Sequence, residues 1–169
     1  MTITVTDAAS AVVYFLKSGT GAAAIRDLVQ GGADGILEAG DLTPTILTEQ
    51  ETARRDAGAS ADGLVLCIDV QDAGDRLVAV DKRLQTVIVR IYDRERGYRN
   101  IRAVRDQIIK DLHETDLDGD VSLSDVDGQT RAFLELSYLE RSGLHYLQRY
   151  AADFEAIAFK GIIDIEEDD

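Results

Sequence analysis

The segment V-I-V-R-I-Y-D-R-E-R-G-Y-R-N-I-R-A-V-R-D-Q-I-I-K-D-L-H, Val87 to His113, changes its hydrophobic period in mid-course. Over Leu84 to Tyr92 the apolar residues alternate: Val87, Val89 and Ile91 share one side, and Leu84, Thr86 and Ile88 the other. That is the pattern of a strand covered on both faces, central in its sheet. From Tyr98 the apolar positions recur every three or four residues, at Tyr98, Ile101, Val104, Ile108 and Leu112, with charged residues between. An amphipathic helix lying across the sheet is the expectation.

Working outward, Leu64 to Val70 alternates in the same way, with Leu64, Leu66, Ile68 and Val70 on one face. The polar link between these strands holds Leu77 to Val80, a candidate for a short paired segment. Downstream, an acidic loop from Glu114 to Gly128 leads to two more strands. Arg131 to Arg141 has Leu134, Leu136 and Tyr138 on one face, and Phe154 to Ile165 has Ile157, Phe159, Ile163 and Ile165. Ser142 to Asp153 reads as a long hairpin connection that extends these strands through Leu144, Tyr146 and Tyr150. Upstream, Thr6-Asp7 is placed to cap a helix running to about Lys17, and a second helix covers Ala22 to Gln30 before Gly31-Gly32. The Gly-, Asp- and Thr-rich stretch at 31–62, with Pro44 and the apolar pair Ile46-Leu47, is a long excursion with room for one edge strand, of the kind ordered by function or by a partner. The order of elements predicts a single α+β domain over 1–169, a mostly antiparallel sheet packed by helices on one side, ending in an acidic tail at 166–169.

The 169 residues carry a net charge of −14, which disfavours a protein whose main task is gripping nucleic acid or anionic lipid. Asp outnumbers Glu by 22 to 10 and Arg outnumbers Lys by 14 to 4, a balance expected of a halophilic source, where salt screens the self-repulsion. No apolar run approaches the roughly 20 residues of a bilayer span, and the first ten residues lack the basic start of a signal peptide, so no membrane association is expected. The single cysteine, Cys67, lies in mid-strand and reads as a small core residue.

Two local patterns carry possible chemistry. E-T-D-L-D-G-D-V-S-L-S-D, Glu114 to Asp125, sets Glu114, Asp116, Asp118, Asp120, Ser122 and Asp125 around Gly119 in the manner of a calcium loop, with calcium or magnesium as its ion. Glu114 and Asp125 depart from the preferred Asp and Glu at the first and twelfth positions, and a strand rather than a helix follows, so surface hydration of an Asp-rich chain competes as the explanation. The second pattern is electrical. From Arg90 to Lys110 there are seven basic and three acidic side chains, a local +4, while the remaining eleven basic and twenty-nine acidic leave −18. Arg94, Arg96, Arg99, Arg102 and Arg105, at the strand-to-helix junction and on the exposed side of the helix, are candidates to clamp carboxylates of a neighbouring subunit; a salt-bridged solvent face is the alternative. Ser18-Gly19-Thr20-Gly21 reads as a helix-helix turn, having no strand before it and no Lys beside it. Only two histidines occur, His113 at the end of the long helix and His145, and no catalytic constellation can be assembled, so neither an enzyme nor a cofactor is expected.

Val87 to His113, followed by F-L-E-L-S-Y-L-E-R-S-G, Phe133 to Gly143, and F-E-A-I-A-F-K-G-I-I, Phe154 to Ile163, resembles the strand-helix core and closing hairpin of the tail terminator, or tail-completion, proteins of tailed viruses. The resemblance implies a structural subunit of the virion, made in the host cytoplasm and located at the tail-neck junction. It implies a homo-oligomeric ring, usually of six subunits, that stops polymerisation of the tail tube protein and meets a neck or connector protein while genome DNA passes through the lumen. A head-closure or connector adaptor is the neighbouring role. The family supplies no catalytic residues to transfer.

Overall fold

The computed structural model describes residues 2–4, 7–29, 35–38, 64–71, 76–79, 82–93, 98–117, 121–124, 131–148 and 152–166. Ten strands form one sheet: β1 Thr2–Thr4, β2 Ile36–Glu38, β3 Leu64–Val70, β4 Arg76–Ala79, β5 Lys82–Asp93, β6 Thr115–Asp116, β7 Ser122–Ser124, β8 Arg131–Arg141, β9 His145–Leu147 and β10 Ala152–Glu166. The main path runs β1-β7-β8-β10-β5-β3-β2, with β4 on β5, β6 on β8 and β9 on β10. Only the outermost pairs, β1 with β7 and β2 with β3, are parallel. The α+β expectation holds.

The centre of the sheet is β10, antiparallel to β5 from Asp153 opposite Asp93 to Asp164 opposite Lys82, and to β8 from Ile157 opposite Arg141 to Glu166 opposite Arg131. The β8 register slips at Ala158/Phe159, where Leu139 has no partner, bulges out and is 50% exposed. Strict alternation places Val87, Val89, Ile91, Ile157, Phe159, Ile163, Leu134 and Leu136 on one face, all in the main core. Onto that face pack α1 (Ala8–Ser18), through Val12, Phe15 and Leu16, and α3 (Tyr98–Leu112), through Ile101, Val104, Ile108 and Leu112, while α2 (Ala23–Leu28) lies against these two helices with Ile25 in the same core. The opposite face carries a smaller cluster, Val65, Cys67 and Tyr92 with Leu37, Leu147 and Phe154, so Cys67 is the core group its strand position indicates.

Helix α1 begins where expected because the Asp7 carboxylate accepts the Ser10 backbone N–H at 2.7 Å. A second donor of its first turn, Ala8 N–H, is buried and reaches Gln85 Oε1 of β5 at 2.6 Å. Gly161 of β10 lies beneath this end, where a Cβ would stand 3.3 Å from Ala8 Cβ, so the missing side chain lets helix and sheet approach. Replacing Gln85 with leucine leaves the Ala8 donor without its acceptor inside the protein. A loss of about 1–3 kcal/mol is expected, measured as a lowered urea midpoint at unchanged slope.

Two expectations are corrected. The second helix is shorter than 22–30: Thr20–Ala22 forms a 3₁₀ turn, and Val29 is extended, which turns Val29 into the core and leaves Leu28 38% exposed. The acidic loop is not plain loop, because the buried Leu117, Val121 and Leu123 pin it to the core and allow β6 and β7 to form. The excursion holds its expected edge strand, β2, whereas Pro44 and Ile46-Leu47 lie outside the described residues. No helix among the described residues is long and apolar enough to cross a membrane.

Candidate interaction site

Period-2 alternation along β10 places Asp153 and Glu155 in phase with Ile157 and Phe159, on the helix-covered face. Their cross-strand partners on β5 are Asp93 and Ile91. Asp93, Asp153 and Glu155 are accordingly buried, at 0–1% exposure. Charges removed from water to that extent require partners. For Glu155 and Asp93, helix α3 and the end of β8 supply them. Arg105 Nη1 donates to Glu155 Oε2 at 3.2 Å, and Arg141 Nη1 lies 3.7 Å from Oε1. Asn100 Nδ2 approaches Asp93 Oδ2 at 3.5 Å.

Arg105 also donates from Nε to Asp106 Oδ1 at 3.0 Å. Burial works against its charge, but the hydrogen bond to Asp106, with the attraction of Glu155 and of Asp106, outweighs that and raises its pKa above the ordinary arginine value. Above this pair opens a cleft of about 400 Å³ lined by Arg102, Arg105, Arg141, Gly143 and Leu144. Gly143 turns the chain out of β8 with φ +81°, a conformation that glycine adopts without steric penalty. Three guanidinium groups converging on one cleft suit a carboxylate or another oxyanion, which they can hold through paired N–H donors.

Of the five arginines expected to form a clamp, the described residues include three. Arg102 is exposed on α3 as expected, whereas Arg105 keeps only 13% of its side chain exposed and faces inward to Glu155. Arg99 falls in the first turn of α3, and Arg94 and Arg96 lie outside the described residues. Sequence reading missed Arg141, Glu155, Asp93 and Asp153. For Glu155 and Asp153 the available signal was an acid at a core-phase position of a long strand.

Of the calcium-loop residues, Glu114, Asp116 and Ser122 are described and exposed, while Asp118, Asp120 and Asp125 lie outside the described residues. Glu114 holds a left-handed φ of 55° at the end of α3, and Asp116 pairs with Glu135 across β6 and β8. Among the described residues no three His, Cys, Asp or Glu side chains are grouped as metal ligands. His113, at the end of the long helix, accepts the Tyr138 backbone N–H at Nδ1, 3.0 Å away, and so ties the helix end to the open edge of β8. Its Nε2 lies 3.7 Å from Glu114.

No protein-family model matches the chain, and no curated protein is similar to it. Among solved structures, the fold is similar to that of a chain in the virion of a native gene transfer agent particle, with a TM-score of 0.51 and 10% identity. The likeness covers 84% of this chain and 85% of that one, and at this identity it is a likeness of fold.

Proposed function

We propose that this protein is a structural subunit of a virion, a tail-terminator-like protein that forms a ring at the head-proximal end of a tail tube and joins the tube to the neck. The observation that carries the reading is the extent of the fold similarity. It runs over 84% of this chain and 85% of a chain from a gene transfer agent virion, and so involves the whole unit rather than one shared hairpin. The resemblance of Val87–His113, Phe133–Gly143 and Phe154–Ile163 to the tail terminators supports the same reading independently. So does the charge distribution: a ring subunit needs unlike surfaces that meet head to tail, and an arginine cleft on a −14 body provides one of them.

Negative-stain microscopy and sedimentation of the purified protein in high salt are expected to show closed rings, and added tail tubes are expected to be capped at one end. A strictly monomeric protein at high concentration that leaves tubes uncapped overturns the proposal. Rings that bind connector rings but ignore tubes place the protein at the neighbouring station, as a head-closure adaptor.

A further inference from the structure

Two clefts of opposite charge border β8. The first is the arginine cleft, at the end of the strand beside α3. The second, of about 200 Å³, is lined by Glu114, Asp116 and Glu135 with Leu136 and Ser137. Glu135 and Arg141 are six strand positions apart, about 20 Å at roughly 3.3 Å per residue, so one molecule cannot close its two clefts on each other.

Both clefts also hold charges that stay open to solvent. Arg102 has no ion pair among the described residues. The Arg141 side chain is 47% exposed, and that of Glu114 is 80% exposed with His113 beside it. Elsewhere on the sheet, in contrast, Arg90 is paired with Asp69 and Lys82 with Asp164.

Resting on the ring reading above, we infer that the subunits meet through these clefts, Arg102 and Arg141 of one copy holding Glu114 and Glu135 of the next. A two-fold contact would use both clefts of each copy at once and stop at a dimer, which leaves nothing to build a ring. Head-to-tail packing sets unlike clefts together and leaves one of each free at the ends, to be closed by a ring. Arg105, held by Glu155 and Asp106, is a positioning residue that fixes the floor of the basic cleft. A second copy is favoured over nucleic acid because the −14 body repels a long polyanion and itself presents the complementary carboxylates.

Single charge reversals test this without disturbing the buried pair. Arg102→Glu and Glu135→Arg are each expected to weaken self-association at least about tenfold in sedimentation at fixed salt, since each sets like charges together. An equimolar mixture of the two is expected to regain assembly, because the reversed residues now complement one another across the contact. Either variant assembling like the parent, or a mixture no better than its components while both keep the parent's circular dichroism and melting transition, overturns the inference. So does saturable binding of short duplex DNA that Arg102→Glu abolishes. Parent rings indifferent to both reversals would sink these contacts and leave the ring standing; a parent that never assembles would sink both.

Discussion

Arg105→Met is expected to cost about 3–5 kcal/mol of folding stability, because it leaves Glu155, at 0% exposure, as a buried carboxylate without its closest cation. Arg141, 3.7 Å from the other carboxylate oxygen, offsets part of the loss and sets the result toward the lower end. Removing both charges is a different matter. The double variant Arg105→Met, Glu155→Met is expected to recover most of the loss, since isolated buried pairs are often replaced by apolar side chains at little net cost. Urea denaturation of the parent, both single variants and the double variant closes the cycle. A coupling energy near zero would show that Arg105 and Glu155 do not act on each other, and would remove the basis for the positioning role of Arg105.

Phe159→Ala is expected to cost about 3–5 kcal/mol. Its ring is fully buried between the cross-strand neighbours Val87 and Tyr138, and it meets Tyr138 edge-on with centroids 6.2 Å apart. It also adjoins the register slip, where β8 has already left the regular ladder and offers little backbone support to close a void. Phe154, on the helix-free face and tilted against Tyr92 with ring centroids 5.1 Å apart, is only partly buried, and Phe154→Ala is expected to lose clearly less. Thermal and chemical denaturation of the two variants side by side is the check. Equal losses would mean that the two faces of the sheet contribute alike, contrary to the burial.

The long elements were legible because their periodicity is long. β3 and β8 occupy the ranges that alternation marks, and α3 runs from Tyr98 to Leu112 as its stripe of Ile101, Val104, Ile108 and Leu112 requires. The three-residue strands β1, β2 and β7 have no room for a period. They exist because a neighbouring edge offers hydrogen bonds, a tertiary cause that local sequence does not carry. The candidate site was half legible. Arg102 and Arg105 were recognised as part of a basic helix, but Arg105 stands four residues after Ile101 and three before Ile108, on the flank of the buried stripe. Its inward turn could have been read from that spacing. What draws it inward, Glu155, lies 50 residues away, and only the pairing of β10 with β5 brings the two together.

The strand that comes last among these elements in sequence sits in the interior of the sheet. Until it arrives, β5 with β3 and β2 forms one ladder and β8 with β7 and β1 another, with no hydrogen-bonded rung joining them. A ribosome emitting this chain thus releases two half-built sheets, each with a long bare margin, which no strand pairing joins until residues 152–166 emerge. The closing step links segments some sixty or more positions apart along β5 and β10, an arrangement of high contact order and slow closure. In that interval the nascent protein is most open to pairing with a sister polypeptide, so crowded synthesis tests it more severely than any later moment.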